Sequence, residues 1–96
     1  MSKAAVIRYQ TKPEAADENQ RLIEKVFAEL ATLAPAGLTY TSVRLADGVS
    51  FVHVVTDQGD GLVRLAAFQE FQRNLGDRLE SAPEREDGTP IGSYDG

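Results

Sequence analysis

The chain has no cysteine, no tryptophan and a single histidine, and it carries only 10 lysines and arginines against 15 aspartates and glutamates in 96 residues. Without cysteine it has no disulfide, thiolate metal site, thiol nucleophile or iron–sulfur cluster. One histidine among scattered carboxylates leaves no metal-ligand spacing, and no metal or other cofactor is expected. A net charge of −5 offers no positive field to phosphates, so neither nucleic acid nor an anionic membrane is an expected partner. Long hydrophobic runs are missing too. Ala4-Ala-Val-Ile7, ended by Arg8, falls short of a signal-peptide core and far short of the ~20 residues that span a bilayer. The expected location is the cytoplasm. A chain of this size makes one domain, residues 1–96, for which burial of its own surface is marginal and self-association a common remedy.

What is present is regular patterning. Ala4–Gln10 is rich in strand formers, and Thr11-Lys-Pro-Glu14 has the spacing of a capping box with proline near the helix start. From Glu14 to about Ala34, Ala15, Leu22, Ile23, Val26, Phe27, Leu30 and Leu33 recur every three or four residues. Pro35-Ala-Gly37 ends that helix. Leu38–Leu45 and Val49–Thr56 are rich in valine, threonine and aromatics and flank Asp47-Gly48, a tight-hairpin signature. A second helical spacing runs from Leu62 to about Leu79 through Leu65, Phe68, Phe71 and Leu75. The C-terminal part, residues 81–96, reads as a polar loop over Ser81–Gly88 followed by one short edge strand in Thr89–Tyr94.

The order β-α-β-β-α-β predicts an α+β, ferredoxin-like domain: a four-stranded antiparallel sheet with two helices on one face. Phe51-Val-His-Val-Val55 carries no charge on either face, so the second face also needs a cover. The simplest cover is the same face of a second copy, which makes a homodimer closed as a dimeric α/β barrel.

The hairpin sorts the side chains. A turn at Asp47-Gly48 pairs Ser42 with His53, Arg44 with Phe51 and Tyr40 with Val55 on one mixed face. Thr41, Val43, Leu45, Val52 and Val54 collect on a plain face. Asn19 and Gln72 fall inside the apolar arcs of their helices, where an unpartnered amide would cost roughly 1–3 kcal/mol. This places the mixed face toward the helices and the plain face in the dimer, although periodicity alone says which residues share a face and not what covers it.

Asp17-Glu-Asn19, Arg44-Leu-Ala-Asp-Gly48 leading into Phe51-Val-His-Val54, Phe68-Gln-Glu-Phe-Gln72 and Ile91-Gly-Ser-Tyr94, taken with the element order, resemble the dimeric α/β-barrel proteins that include the antibiotic biosynthesis monooxygenases. The resemblance implies a cofactor-independent oxygenase acting on aromatic, polyketide-like substrates, or one of the family's isomerase-like members or members without assigned activity. The haem-degrading branch is not matched: tryptophan is absent, and the one histidine lies on a strand rather than a helix.

The residues themselves predict a half-apolar cavity between helices and sheet, walled by Phe27, Phe51, Phe68 and Phe71. Its candidate polar groups are His53, Asn19, Gln72, Tyr40 and Arg44, with Tyr9 if its strand parity matches. Such a cavity suits a small hydrophobic molecule oriented by a few hydrogen bonds. His53 is the candidate base, since imidazole titrates near neutrality, and Asn19 or Gln72 could hold an oxyanion. The bland alternatives are a packed core histidine, a helix-surface pair between Asp17 and Arg21, and amides that bond nearby backbone. The alternative functions are a non-catalytic ligand-binding or assembly module of the same fold, and a small isomerase or decarboxylase.

Overall fold

The structure is a computed structural model that describes residues 3–57 and 59–94. Strand β1 spans Ala4–Gln10, and a 3₁₀ turn at Pro13–Ala15 leads into helix α1, Ala16–Leu33. Strands β2, Leu38–Arg44, and β3, Ser50–Asp57, form the hairpin. Helices α2, Ala66–Arg73, and α3, Leu75–Arg78, precede strand β4, Glu84–Gly88. The sheet order is β2-β3-β1-β4 with every neighbour antiparallel, which is the ferredoxin-like topology predicted from element order. No helix among the described residues is long and apolar enough to cross a membrane.

Helix α1 forms because its apolar residues share one stripe. Ala16, Leu22, Ile23 and Val26 are buried along it, and burying a side chain such as Val26 contributes roughly 1.5–3 kcal/mol. The helix ends where Ala34 takes left-handed backbone and its N–H returns to the Leu30 carbonyl. Asn19 occupies the same buried stripe, as its position predicts.

The hairpin register is the one that the Asp-Gly turn predicts: Ser42 opposite His53, Arg44 opposite Phe51, Tyr40 opposite Val55. The Asp47 carboxylate accepts hydrogen bonds from the Ser50 hydroxyl and from the Val49 and Ser50 amides, and these hold its pKa below the ordinary value, the hydroxyl most of all. Gly48 sits at φ +80, a conformation that side chains resist. Gly48→Ala is expected to cost about 1 kcal/mol, read as a lower urea midpoint at unchanged m-value.

The mixed face packs on the helices and the plain face is uncovered. Phe51 and His53 are 1% and 3% exposed, whereas Val6, Val43 and Val54 on the other face are between 37% and 46% exposed.

Two expectations are corrected. The second helix is not continuous: residues 61–64 form turns, Leu65 is extended, and the backbone leaves helical geometry at Asn74. Gln72 therefore does not share an unbroken buried arc with Leu65 and Leu79, and it is exposed. The last strand is not Thr89–Tyr94 but the charged Glu84–Gly88, which pairs with β1 from Ala4↔Gly88 to Arg8↔Glu84. All five of its residues are exposed, so backbone pairing rather than side-chain burial holds it, and hydropathy carries no trace of it. Thr89–Tyr94 lies outside the sheet, with Ile91 and Tyr94 almost wholly exposed.

Candidate functional site

Strand parity brings Ala5, Ile7 and Tyr9 of β1, and His53 and Val55 of β3, onto the helix-facing side of the sheet. Tyr40 and Ser42 join them from β2. Helix α2 and the chain before it stand off this surface and leave a cavity of about 420 Å³. Ile7, Val55, Phe68, Phe71 and Leu75 give it an apolar wall, and Tyr9, Tyr40 and His53 form its polar end. Gln72, Asp57 and Arg85 also line it. The Asp57 carboxylate is occupied by the Gly59 and Leu62 amides.

The polar end is one connected hydrogen-bond array. The Tyr9 hydroxyl lies 2.7 Å from Nε2 of His53, and the Tyr40 hydroxyl lies 2.8 Å from Nδ1. Ser42 Oγ approaches the same Nδ1 at 3.2 Å. Behind them, Asn19 Nδ2 donates to the Tyr9 oxygen at 2.9 Å, and Arg78 Nε donates to Asn19 Oδ1 at 3.0 Å. Arg78 Nη2 donates to the Phe71 carbonyl at 2.7 Å near the end of α2. The break after α2 is what allows this, because it turns the Arg78 side chain back under the helix. No buried side-chain nitrogen or oxygen among the described residues lacks a partner.

Burial sets the protonation states. It pushes the imidazole of His53 down to about 4 from 6.5, so the ring is neutral at pH 7. Burial raises the Tyr9 phenol to about 12, although the Asn19 hydrogen bond and the Arg78 charge pull it back, and burial raises Tyr40 as well. Both phenols are therefore protonated. Burial lowers the pKa of Arg78, which forms no salt bridge among the described residues, yet the group stays cationic.

Of the residues singled out from sequence, His53, Tyr40, Phe68, Phe71 and Gln72 line the cavity, and Asn19 reaches it through Tyr9. Tyr9 has the required parity. Phe51 lies behind the cavity, stacked on Tyr9 at 5.6 Å, and Phe27 packs on the Tyr40 ring at 4.9 Å. Arg44 is not a cavity group: it is exposed, bonded to Asp17 at 3.1 Å, Gln20 at 2.7 Å and the Gly48 carbonyl, and its guanidinium lies over Phe51. Asp17 thus pairs with Arg44, and Arg21 pairs with Glu18 instead. Sequence reasoning missed Arg78 and Arg85. Nothing local marks Arg78, since its role depends on the helix break, whereas Arg85 follows from parity once β4 is located.

A larger hollow, about 660 Å³, lies on the uncovered face beside β4, lined by Val6, Arg8, Val52, Glu84 and Glu86 among others. Among the described residues it is lined by no aromatic or histidine side chain.

No protein-family model and no curated protein matches this sequence. The fold, by contrast, matches solved structures closely. Rv0793 from Mycobacterium tuberculosis aligns over 99% of this chain and 100% of its own, with a TM-score of 0.75 and 16% identity. A provisionally named antibiotic biosynthesis monooxygenase from Nitrosomonas europaea aligns over 94% and 90%, with a TM-score of 0.76 and 8% identity. A structure described as an antibiotic biosynthesis monooxygenase aligns over 94% and 99%, with a TM-score of 0.72 and 14% identity. The chain therefore shares the ferredoxin-like fold of these structures.

Proposed function

We propose that this protein is a homodimer that binds a small, largely aromatic molecule in the cavity between α2 and the sheet. The observation that carries this reading is the Tyr9–His53–Tyr40 array in a largely apolar cavity of about 420 Å³. That volume lies within the range of small-molecule sites, and three of its polar groups are joined in one hydrogen-bonded array. A packing role alone would leave no space beside these groups. Substituting phenylalanine for Val55, which lines the cavity opposite Tyr40, fills that space without removing any hydrogen-bonding group of the array. The variant is expected to fold and to lose the rise in melting temperature that 9-fluorenone or 1-naphthol gives the native protein. Equal stabilisation of both proteins would rule out this cavity as the binding site.

The partner in the dimer is a second copy, seated on the plain face. Val6, Val43 and Val54 are exposed there on three adjacent strands, and Ile91 and Tyr94 extend from the sheet with no cover of their own. A two-fold pairing would bury both sets at once. Val54→Lys is expected to turn a dimer into a monomer in sedimentation at micromolar concentration, with the Tyr9–His53–Tyr40 array intact. A monomeric native protein would contradict the dimer.

A second reading, oxygenation of the bound molecule without a cofactor, draws on the likeness to structures named as monooxygenases. With 1-naphthol as probe, the phenol loses its proton, O₂ oxidises the ring, one oxygen atom forms the new C4 carbonyl, and the other leaves as water with 1,4-naphthoquinone as product. His53 as the base requires a ring nitrogen to leave Tyr9 or Tyr40, since both nitrogens are bonded. Oxygen uptake above the rate without protein, lost in His53→Gln, would support the reaction. Binding without uptake would leave the protein a ligand-binding module.

A further inference from the structure

Proton counting assigns a direction to this site. Tyr9, His53 and Tyr40 carry three exchangeable protons between them when the ring is neutral: two phenolic and one on imidazole. Only two contacts join the three groups, Tyr9 to Nε2 and Tyr40 to Nδ1, and each uses one proton. One phenolic proton is left over in either tautomer. Ser42 adds a further proton and one weaker contact, so the surplus persists.

The groups behind the array decide which phenol holds it. Arg78 can only donate, which points the Asn19 oxygen toward it and the Asn19 amide toward Tyr9. Tyr9 therefore accepts from Asn19 and is fully used if its own proton goes to Nε2 of His53. The alternative tautomer would make Tyr9, 5% exposed, accept twice and leave its proton without an acceptor among the described residues. Buried donors avoid that. His53 then carries its proton on Nδ1 and gives it to Tyr40, with Ser42 beside it. Tyr40 is half-buried, lines the cavity, and has no acceptor for its own proton among the described residues.

We infer that Tyr40 is the ligand-contacting hydrogen-bond donor of this cavity, and that the ligand presents an acceptor oxygen there, a carbonyl or a phenolate. Arg78, Asn19, Tyr9 and His53 are positioning residues whose bonds all run outward, from a buried cation to Tyr40. Aligned bonds of this kind polarise one another and strengthen the last donor. This rests on the ligand-binding reading and adds to it the polarity of the ligand.

The test compares 9-fluorenone, which offers one carbonyl acceptor, with fluorene, its near-isostere without a polar atom. Native protein is expected to bind fluorenone at least ten-fold more tightly in calorimetry. The carbonyl stretch of bound fluorenone should fall below its value in hexane. Tyr40→Phe should remove both the preference and the shift while fluorene binding is unchanged. In the ¹⁵N spectrum, where one histidine gives unambiguous signals, the proton should reside on Nδ1. Equal binding of the two probes, or an unshifted carbonyl in the native protein, would overturn the donor assignment while the cavity reading stood. A proton on Nε2 would overturn the assignment to Tyr40. Binding of neither probe would defeat the cavity reading and this inference with it.

Discussion

Replacing Arg78 with methionine is expected to destabilise the fold by about 3 kcal/mol, the largest effect of any single change outside the apolar core. Methionine keeps the aliphatic stem but removes the guanidinium, whose carbon lies 5.3 Å from the centroid of the Phe71 ring. Most of the loss comes from two buried acceptors, the Asn19 side-chain oxygen and the Phe71 carbonyl, which lose their charged donor together. Asn19→Leu in the Arg78→Met background should cost less than Asn19→Leu alone, because the orphaned amide oxygen has been removed. Denaturant unfolding of the four proteins measures both values. Strict additivity would mean that Arg78 and Asn19 are not coupled.

The second large effect is a pH dependence carried by His53. Its folded-state pKa, about 4, lies below the 6.5 of the unfolded chain, so below pH 6.5 the unfolded state takes up a proton that the folded state refuses. Stability from this group is complete above pH 6.5 and is lost progressively as pH falls toward 4. A depression of that size corresponds to about 3 kcal/mol. The native protein should lose about that much more stability than His53→Gln over this interval, and the difference removes the background of titrating carboxylates common to both. Parallel stability curves would show that His53 is not held neutral by burial.

Both effects arise in an array that was half legible in the sequence. Asn19 stood out because an amide interrupted an apolar stripe of helical period, and that stripe is local. His53, Tyr40 and Ser42 were grouped by the period of two and the two-residue turn, which fix register without knowledge of the rest of the chain. For Gln72 the same logic gives its place on the cavity but not its exposure. The spacing from Leu62 to Leu79 is helical, but the backbone leaves the helix at Asn74, and the arc that seemed to enclose Gln72 is divided.

The sequence by itself determined the element order, the hairpin register, the helix-one stripe and which side chains share a face, because each depends on residues close in the chain. Tertiary structure alone decided that the mixed face meets the helices, that the charged Glu84–Gly88 closes the sheet, and that Arg78 reaches Asn19, 59 positions earlier in the chain. Backbone hydrogen bonds pair strands without regard to side-chain hydropathy, and a buried cation finds its acceptors across elements. Neither leaves a periodic mark in the chain.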